Sequence, residues 1–327
     1  MNDTRREVLT ALEDGPVEGP ALADRLGVSR AAVWKHIEAL REAGFGVESG
    51  DDGYEIVSVP AYGAAAIAFG LNAPYRIEYH ERIPSTNDRA RELAAEGDED
   101  VVVVADEQTG GRGRLDREWR SPSGGVWASL LVRPRRPPAE VPIYTLAAAV
   151  AVSRAAREAG VDARIKWPND VLAPVDGEGD EHGERRERKL AGVLTEMEGE
   201  ADRVSWLVVG IGVNANVDAD SLPPEATSLR SEIGDVDRRD FLQCVLEQFA
   251  ELTDEDADLT AILDGWREHA ATLGRRVRVE TPTETIEGEA VDVRFPGSLV
   301  VRTDDGERVV SAGDCEHLRP GGSAAPE

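Results

Sequence analysis

The residue pattern changes character twice along the 327 residues, and this divides the chain into separately cored units rather than one continuous layer. Over 1–60 the spacing is helical. Val8, Leu9 and Leu12 share a face between Thr4 and Glu13, Pro20 to Leu26 forms a second short helix, and Ser29 is a good cap for a third. Val47 to Ile56 then alternates into and out of an Asp-Gly turn, the mark of a hairpin. Three helices and a hairpin make a winged helix-turn-helix. A linker is expected over 61–75. Over 76–271 strand-like runs (Val101–Ala105, Val126–Val132, Arg164–Trp167, Leu190–Met197, Val204–Val213) mix with an apolar helix from about Pro142 to Ala159 and two helices between Arg239 and Ala270. Without a regular strand-helix-strand alternation, this predicts an α+β layered unit rather than a doubly wound one. Over 272–319 four short β segments (Val277–Glu280, Ile286–Val293, Leu299–Arg302, Arg308–Ser311) predict a small barrel, and 320–327 a disordered tail.

Composition narrows the partners. The 37 Lys and Arg face 64 Asp and Glu, a net charge of −27, with the acids spread throughout. That argues against a generic polyanion-binding surface and suits concentrated salt, where repulsion is screened over a few ångströms; a halophilic host is the expectation. Cys244 and Cys315 have no metal or redox spacing and read as thiols of a reducing compartment. His36, His80, His182, His269 and His317 show no zinc spacing, so no structural metal is expected. No leader opens the chain and no apolar run approaches the ~20 residues of a membrane span, which points to a cytoplasmic protein.

The third helix presents Ser29, Arg30, Lys35, His36 and Arg41, and the first residues of such a helix meet base edges in the major groove. Residues 1–60 carry six basic against twelve acidic side chains, so protein docking competes with DNA binding. In a salt-rich cytoplasm the phosphate term is already weak, and the shape favours DNA.

Chemistry concentrates in strings of the central unit. Just three basic residues are lysines, and two, Lys166 and Lys189, sit in dense strings, as positions needing a compact ammonium would. In the run from Gln108 to Trp119, Gly110, Gly111 and Gly113 permit close approach to a ligand, Arg112, Arg114 and Arg117 supply bidentate donors, and Trp119 offers a face for stacking. Neither Walker A nor dinucleotide spacing is present. Lys166-Trp167-Pro168-Asn169-Asp170 packs a cation, an aromatic, an amide and a carboxylate at a strand end; Asp170 would orient Lys166 or hold a magnesium-bound phosphate. Arg188-Lys189-Leu190-Ala191-Gly192 starts a strand after an acidic insert, Val175–Arg186, that reads as a solvated hairpin tip. Gly210-Ile211-Gly212-Val213-Asn214 is weak alone.

Together with Ser85-Thr86-Asn87, these strings occur in the order seen in biotin protein ligases, and with the winged helix in front the chain resembles the bifunctional biotin protein ligases and biotin operon repressors as far as about residue 319. The resemblance implies a catalytic domain akin to class II aminoacyl-tRNA synthetases followed by an SH3-like barrel. It implies ATP and magnesium as cofactors, biotin as substrate, a biotin carboxyl carrier domain and operator DNA as partners, and a homodimer when adenylate is bound. Ser85, Thr86, Asn87 and Gln108 would line the biotin ring pocket, with Gly192, Gly210 and Gly212 allowing close approach. Arg112, Gly113 and Arg114 would close over the intermediate, Lys189 would contact the biotin carboxylate and acyl phosphate, and Trp119, Lys166 and Asn214 would lie by the adenylate. Lys189, Arg112, Arg114, Lys166 and Asp170 form the expected catalytic set. Two departures stand out: Asp116 replaces a common glycine, and the insert before Lys189 is long. The competing readings are a regulator without ligase activity and a lipoate or octanoate ligase of the same fold.

Overall fold

The structure, a computed structural model, describes residues 3–179, 185–200 and 202–318, without the side chains of Asp3, Asp116, 176–179 and Arg185. Helices α1 (Asp3–Ala11), α2 (Gly19–Leu26) and α3 (Arg30–Glu42) pack around Leu9, Leu22, Ile37 and Leu40. Pro20 sits in the first turn of α2, where its missing N–H costs nothing, and Gly27 ends that helix at φ 64°. The Ser29 hydroxyl accepts from the Ala32 N–H. Strands β1 (Gly46–Gly50) and β2 (Gly53–Ser58) form the wing.

Two expectations change here. Arg41, placed on the DNA-facing helix, turns back instead: its Nη2 donates to the Val47 carbonyl at 2.7 Å and to Ser49 Oγ at 2.9 Å, tying α3 to the wing. The segment read as a linker holds a helix, α4 (Ala64–Ala68), too apolar to stay in water. Ile67 is buried in the central core with Ala64 and Ala68 packed against that core, while Ala65 and Phe69 pack on the winged-helix core. Gln243 Nε2 donates to the carbonyls of Ile67 and Phe69 at 2.8 and 2.7 Å.

The central unit is a seven-stranded sheet. In chain order its elements are β3 (Arg76–Ile83), α5 (Thr86–Glu96), β4 (Val101–Gln108), β5 (Val126–Val132), α6 (Pro142–Glu158), β6 (Arg164–Lys166), β7 (Asp170–Gly179), β8 (Arg185–Gly199) and β9 (Val204–Val213). The strand order is β3-β4-β5-β9-β8-β7-β6; β3 and β4 run parallel across the α5 crossover and the other neighbours antiparallel. Strand β3 and the polar helix α5 were not anticipated. Helix α6 is apolar all round, with Ala147 through Val152 fully buried. It covers one face of the sheet with α7 (Leu229–Ile233), α8 (Arg238–Thr253) and α9 (Thr260–Glu268) near it in the same core; α5 covers part of the other, through Ala90, Leu93 and Ala94. The expected hairpin at Val175–Arg186 is partly strand, Gly179 pairing with Arg185; 180–184 lie outside the described residues.

The C-terminal unit has five antiparallel strands, β10 (Arg276–Glu280), β11 (Thr285–Arg294), β12 (Ser298–Thr303), β13 (Gly306–Val310) and β14 (Asp314–His317), in the order β13-β12-β11-β10-β14. Strand β14 is the addition to the four expected. This unit docks on the lysine string: Trp167 Nε1 donates to the Gly297 carbonyl at 2.9 Å and the Trp167 N–H to Thr272 Oγ1 at 2.9 Å. The expected tail, 320–327, lies outside the described residues. Among those residues, no helix is long and apolar enough to cross a membrane.

Candidate active site

Side chains alternate along a strand, so with Val209, Ile211 and Val213 turned into the core under α6, Gly210 and Gly212 face the other way. Gly212 pairs with Gly192 on β8, and the two make a floor without side chains. Close approach explains the glycines. A Cβ at Gly212 would stand 2.7 Å from Trp119 Nε1, one at Gly192 3.4 Å from Trp119 Cζ3, and one at Gly210 2.3 Å from Asn87 Oδ1. Above this floor opens a cleft of about 1530 Å³.

One end of the cleft is a fixed hydrogen-bond network at the start of α5, where Ser85 caps the helix and Thr86 and Asn87 are buried in its first turn. Gln108 Oε1 accepts from the Thr86 N–H and Oγ1 at 2.8 and 3.0 Å, while Gln108 Nε2 donates to Ser121 Oγ at 3.0 Å. Asn87 Nδ2 donates to Glu196 Oε2 at 2.6 Å. Fully buried Ser129 lies 2.7 Å from Thr86 Oγ1 and 2.5 Å from Asn87 Oδ1. Ser121, Ser129 and Glu196 were missed from sequence; the signal for Ser129 was a lone hydroxyl inside the apolar strand β5.

At the other end, strand pairing places Asp170 opposite both Lys166 and Gly192. Lys189 Nζ sits 2.7 Å from Asp170 Oδ1 and 4.9 Å from the centroid of the Trp119 ring, an ion pair with a cation–π contact. The loop from β4 closes the roof. Its Gly113 N–H donates to the Arg117 carbonyl at 2.8 Å, and exposed Leu115 takes φ 57°, a left-handed conformation uncommon for a branched residue. Arg112 and Arg114 both line the cleft, yet their guanidiniums have protein partners. Arg112 pairs with Asp88, and Arg114 donates to Asn169 Oδ1 at 3.0 Å and the Gly313 carbonyl at 2.7 Å. Burial pushes the Arg114 guanidinium's pKa down. Asn214 is buried at the cleft wall with Nδ2 donating to the Thr227 carbonyl at 3.0 Å. The Asp116 side chain lies outside the described residues.

The C-terminal unit supplies a wall that the sequence did not reveal. Arg275 pairs with Glu187 at 2.8 Å and donates to His317 Nδ1 at 3.2 Å. His317 must then carry its proton on Nε2, which faces Thr272 Oγ1 at 3.1 Å. Burial, with Lys166 and Arg275 close by, holds the imidazole neutral, its pKa lowered to about 3. Arg117 reaches Asp314 Oδ2 at 2.5 Å.

A ligand-sized cleft with a directional polar network at one end, an ammonium on a glycine floor and a nucleotide-sized aromatic between them has the parts of a ligase that activates a carboxylate with a nucleotide. Comparison with known proteins narrows the class. Residues 79–214 match the biotin/lipoate A/B protein ligase family, 272–318 the biotin protein ligase C-terminal domain, and 4–63 a helix-turn-helix domain. The bifunctional ligase/repressor BirA of Bacillus subtilis is 38% identical over 92% of this chain and 93% of its own. The biotin–[acetyl-CoA-carboxylase] ligase of Paracoccus denitrificans is 34% identical over 71% of this chain and 97% of its own. A biotin protein ligase from Aquifex aeolicus, solved with biotin and ATP, superposes with a TM-score of 0.60 at 27% identity, over 75% of this chain and 99% of that one. The chain belongs to the biotin protein ligase family, in its form with a helix-turn-helix domain in front.

Proposed function

We propose that the cleft binds biotin at the Ser85–Gln108 end, with its carboxylate toward Lys189, and that Lys189 and Trp119 hold the reacting centre between biotin and ATP. A carboxylate oxygen attacks the α-phosphorus of ATP, a P–O bond forms, the α–β bridge breaks and pyrophosphate leaves. A lysine amine of a biotin carboxyl carrier domain then attacks the acyl carbon of biotinyl-5′-AMP, loses a proton and releases AMP. The observation that carries this reading is the Lys189 ammonium, seated between the Asp170 carboxylate and the Trp119 ring on the glycine floor. Preorganised positive charge where negative charge grows is what the first step needs. The directional donors and acceptors around Thr86, Asn87 and Gln108 suit a cyclic urea and are wasted on a plain acyl chain, which favours biotin over octanoate.

Magnesium would come with ATP. Asp170 lines the cleft with its carboxylate against Lys189, so with the phosphates it fits an ion that takes one or two protein carboxylates; bound there, magnesium would neutralise phosphate charge. Arg112, Gly113 and Arg114 belong to the loop that keeps water from the mixed anhydride. The winged helix would bind operator DNA through Ser29, Arg30, Lys35 and His36, in a homodimer of the adenylate-bound protein in the cytoplasm. Transfer of labelled biotin to a carrier domain, with ATP and magnesium and across potassium chloride up to molar concentration, tests the reading. ATP-dependent transfer supports it; labelling by octanoate or lipoate in place of biotin overturns it.

A further inference from the structure

An amide side chain is nearly symmetric in shape, so its neighbours decide which end is the donor and which the acceptor. For Asn87 one neighbour decides. Ser129 Oγ lies 2.5 Å from Asn87 Oδ1 and tolerates either end, since a hydroxyl both donates and accepts. Glu196 Oε2, 2.6 Å from Asn87 Nδ2, tolerates one, because a carboxylate accepts and does not donate. Reversing the amide would set oxygen against oxygen at hydrogen-bond distance. Glu196 is itself held from α5, where Asn87 and Arg91 stand one turn apart on the same face. Arg91 Nη1 is 3.6 Å from Glu196 Oε1, so each carboxylate oxygen has its own partner on the helix. Arg91 pairs in turn with Asp88, which also holds Arg112 of the cleft loop. Position 196 is an expensive one for a charge. Across the strands Glu196 pairs with Val208, a member of the apolar cluster under α5, and its side chain is 27% exposed. Asn87 lines the cleft and Glu196 does not, so whatever the carboxylate does for a ligand it does through the amide.

We propose that Glu196 is a positioning residue that sets substrate specificity: its charge fixes the Asn87 amide in one orientation, so that a ligand always meets the same edge of it. This rests on the biotin reading of the same cleft. A cyclic urea carries its donors and its acceptor at fixed places and matches one orientation of the amide, not both. A neutral side chain at 196 removes the prohibition, and the pocket then presents two hydrogen-bond patterns in place of one. Because Glu196 acts through Asn87, its effect falls on recognition of the urea and leaves the nucleotide step alone.

The test is Glu196→Gln in the full chain, with Glu198→Gln as control; Glu198 is exposed and lies two residues along β8 on the same face. Glutamine keeps the size and still accepts from Nδ2, but it no longer forbids the reversed amide. For Glu196→Gln the expected results are a KM for biotin raised about five- to ten-fold, an equal loss for desthiobiotin, which keeps the cyclic urea and lacks the sulfur bridge, and unchanged kcat and KM for ATP. In the Asn87→Ala background the same substitution should add nothing. Glu198→Gln should change none of these. An unchanged biotin KM overturns the proposal, as does a loss confined to biotin, a further loss on top of Asn87→Ala, or a fall in kcat of the kind a merely structural role would produce. The orientation is also read without turnover. In the NMR spectrum of the ligand-free protein the Asn87 side-chain amide should show one hydrogen shifted downfield and slow to exchange with water, and Glu196→Gln should abolish both marks. If the wild type bound no biotin, the ligase reading would fall, while that hydrogen would still support the fixed amide and its absence would still sink it.

Discussion

Replacing Gly210 by alanine tests whether the glycine floor positions Asn87. The added methyl would stand 2.3 Å from Asn87 Oδ1 and 3.0 Å from both Cγ and Nδ2, so the amide must move by about an ångström to reach ordinary contact. It cannot do so freely, because Ser129 holds its oxygen at 2.5 Å and Glu196 its nitrogen at 2.6 Å. A neutral hydrogen bond is worth about 1 kcal/mol and one to a carboxylate about 1.5–3 kcal/mol, so breaking both costs roughly 2–4 kcal/mol. Expressed wholly in binding, that is a roughly thirty- to several-hundred-fold rise in KM for biotin; expressed in the fold, it is a lower Tm. Steady-state kinetics and thermal unfolding would be read on Gly210→Ala, Asn87→Ala and the double variant. If the methyl acts by displacing the amide, removing the amide removes the clash, and the double variant should be no worse than Asn87→Ala alone. Additive losses, or a Gly210→Ala protein with wild-type biotin KM and Tm, would refute the reasoning.

Lys189→Arg should keep the fold and lose ~100-fold or more in adenylate formation, because the stem runs close over Gly192, whose added Cβ would meet Lys189 Cε at 3.3 Å, and a planar guanidinium cannot occupy a point-charge site; pyrophosphate exchange measures it, and near-wild-type exchange would move the role elsewhere. His317 is held neutral with its pKa at about 3, so between pH 6.5 and 3 the unfolded chain binds a proton that the folded one does not, and stability falls as pH drops. His317→Gln lacks that proton, so the wild type's stability advantage at pH 7 should shrink by about 2 kcal/mol at pH 5; parallel melting curves at the two pH values would contradict this. With a net charge of −27, the chain should unfold in ~0.1 M salt and refold in molar potassium chloride, followed by circular dichroism; salt-independent structure would remove the halophilic reading.

Much of the fold is written in local pattern. Val101–Ala105 and Val126–Val132 are apolar runs, and α6 announces itself through an unbroken apolar stretch, Leu146–Val152. What escaped has a physical cause. Helix α5 reads Thr-Asn-Asp-Arg-Ala-Arg-Glu-Leu, a polar surface helix with few apolar positions to show a period, and it packs through Ala90, Leu93 and Ala94. Strand β14 is four residues long, with just Cys315 buried. The helix α4 was hidden by its composition: Ala64–Ala68 looks like a neutral connector until two cores close on its opposite sides.

The site strings were legible one by one because glycine, lysine and tryptophan in dense clusters are hard to explain by packing. Their convergence was not legible, since it depends on strand register. Asp170 meets Gly192 and Gly192 meets Gly212 across three neighbouring strands, and a slip of one residue in β9 would turn Gly210 and Gly212 into the core and put Ile211 under Trp119. That register is held at a distance, by Val209, Ile211 and Val213 packing in the core under α6. The C-terminal contribution was less legible still. His317, Asp314 and Arg275 acquire meaning from residues between 88 and 197 positions earlier, such as Glu187, Arg117 and Lys166, and no local spacing records those partnerships. A long-range ion pair leaves its trace in sequence as charge alone, and in a chain so rich in acids that trace singles out no partner.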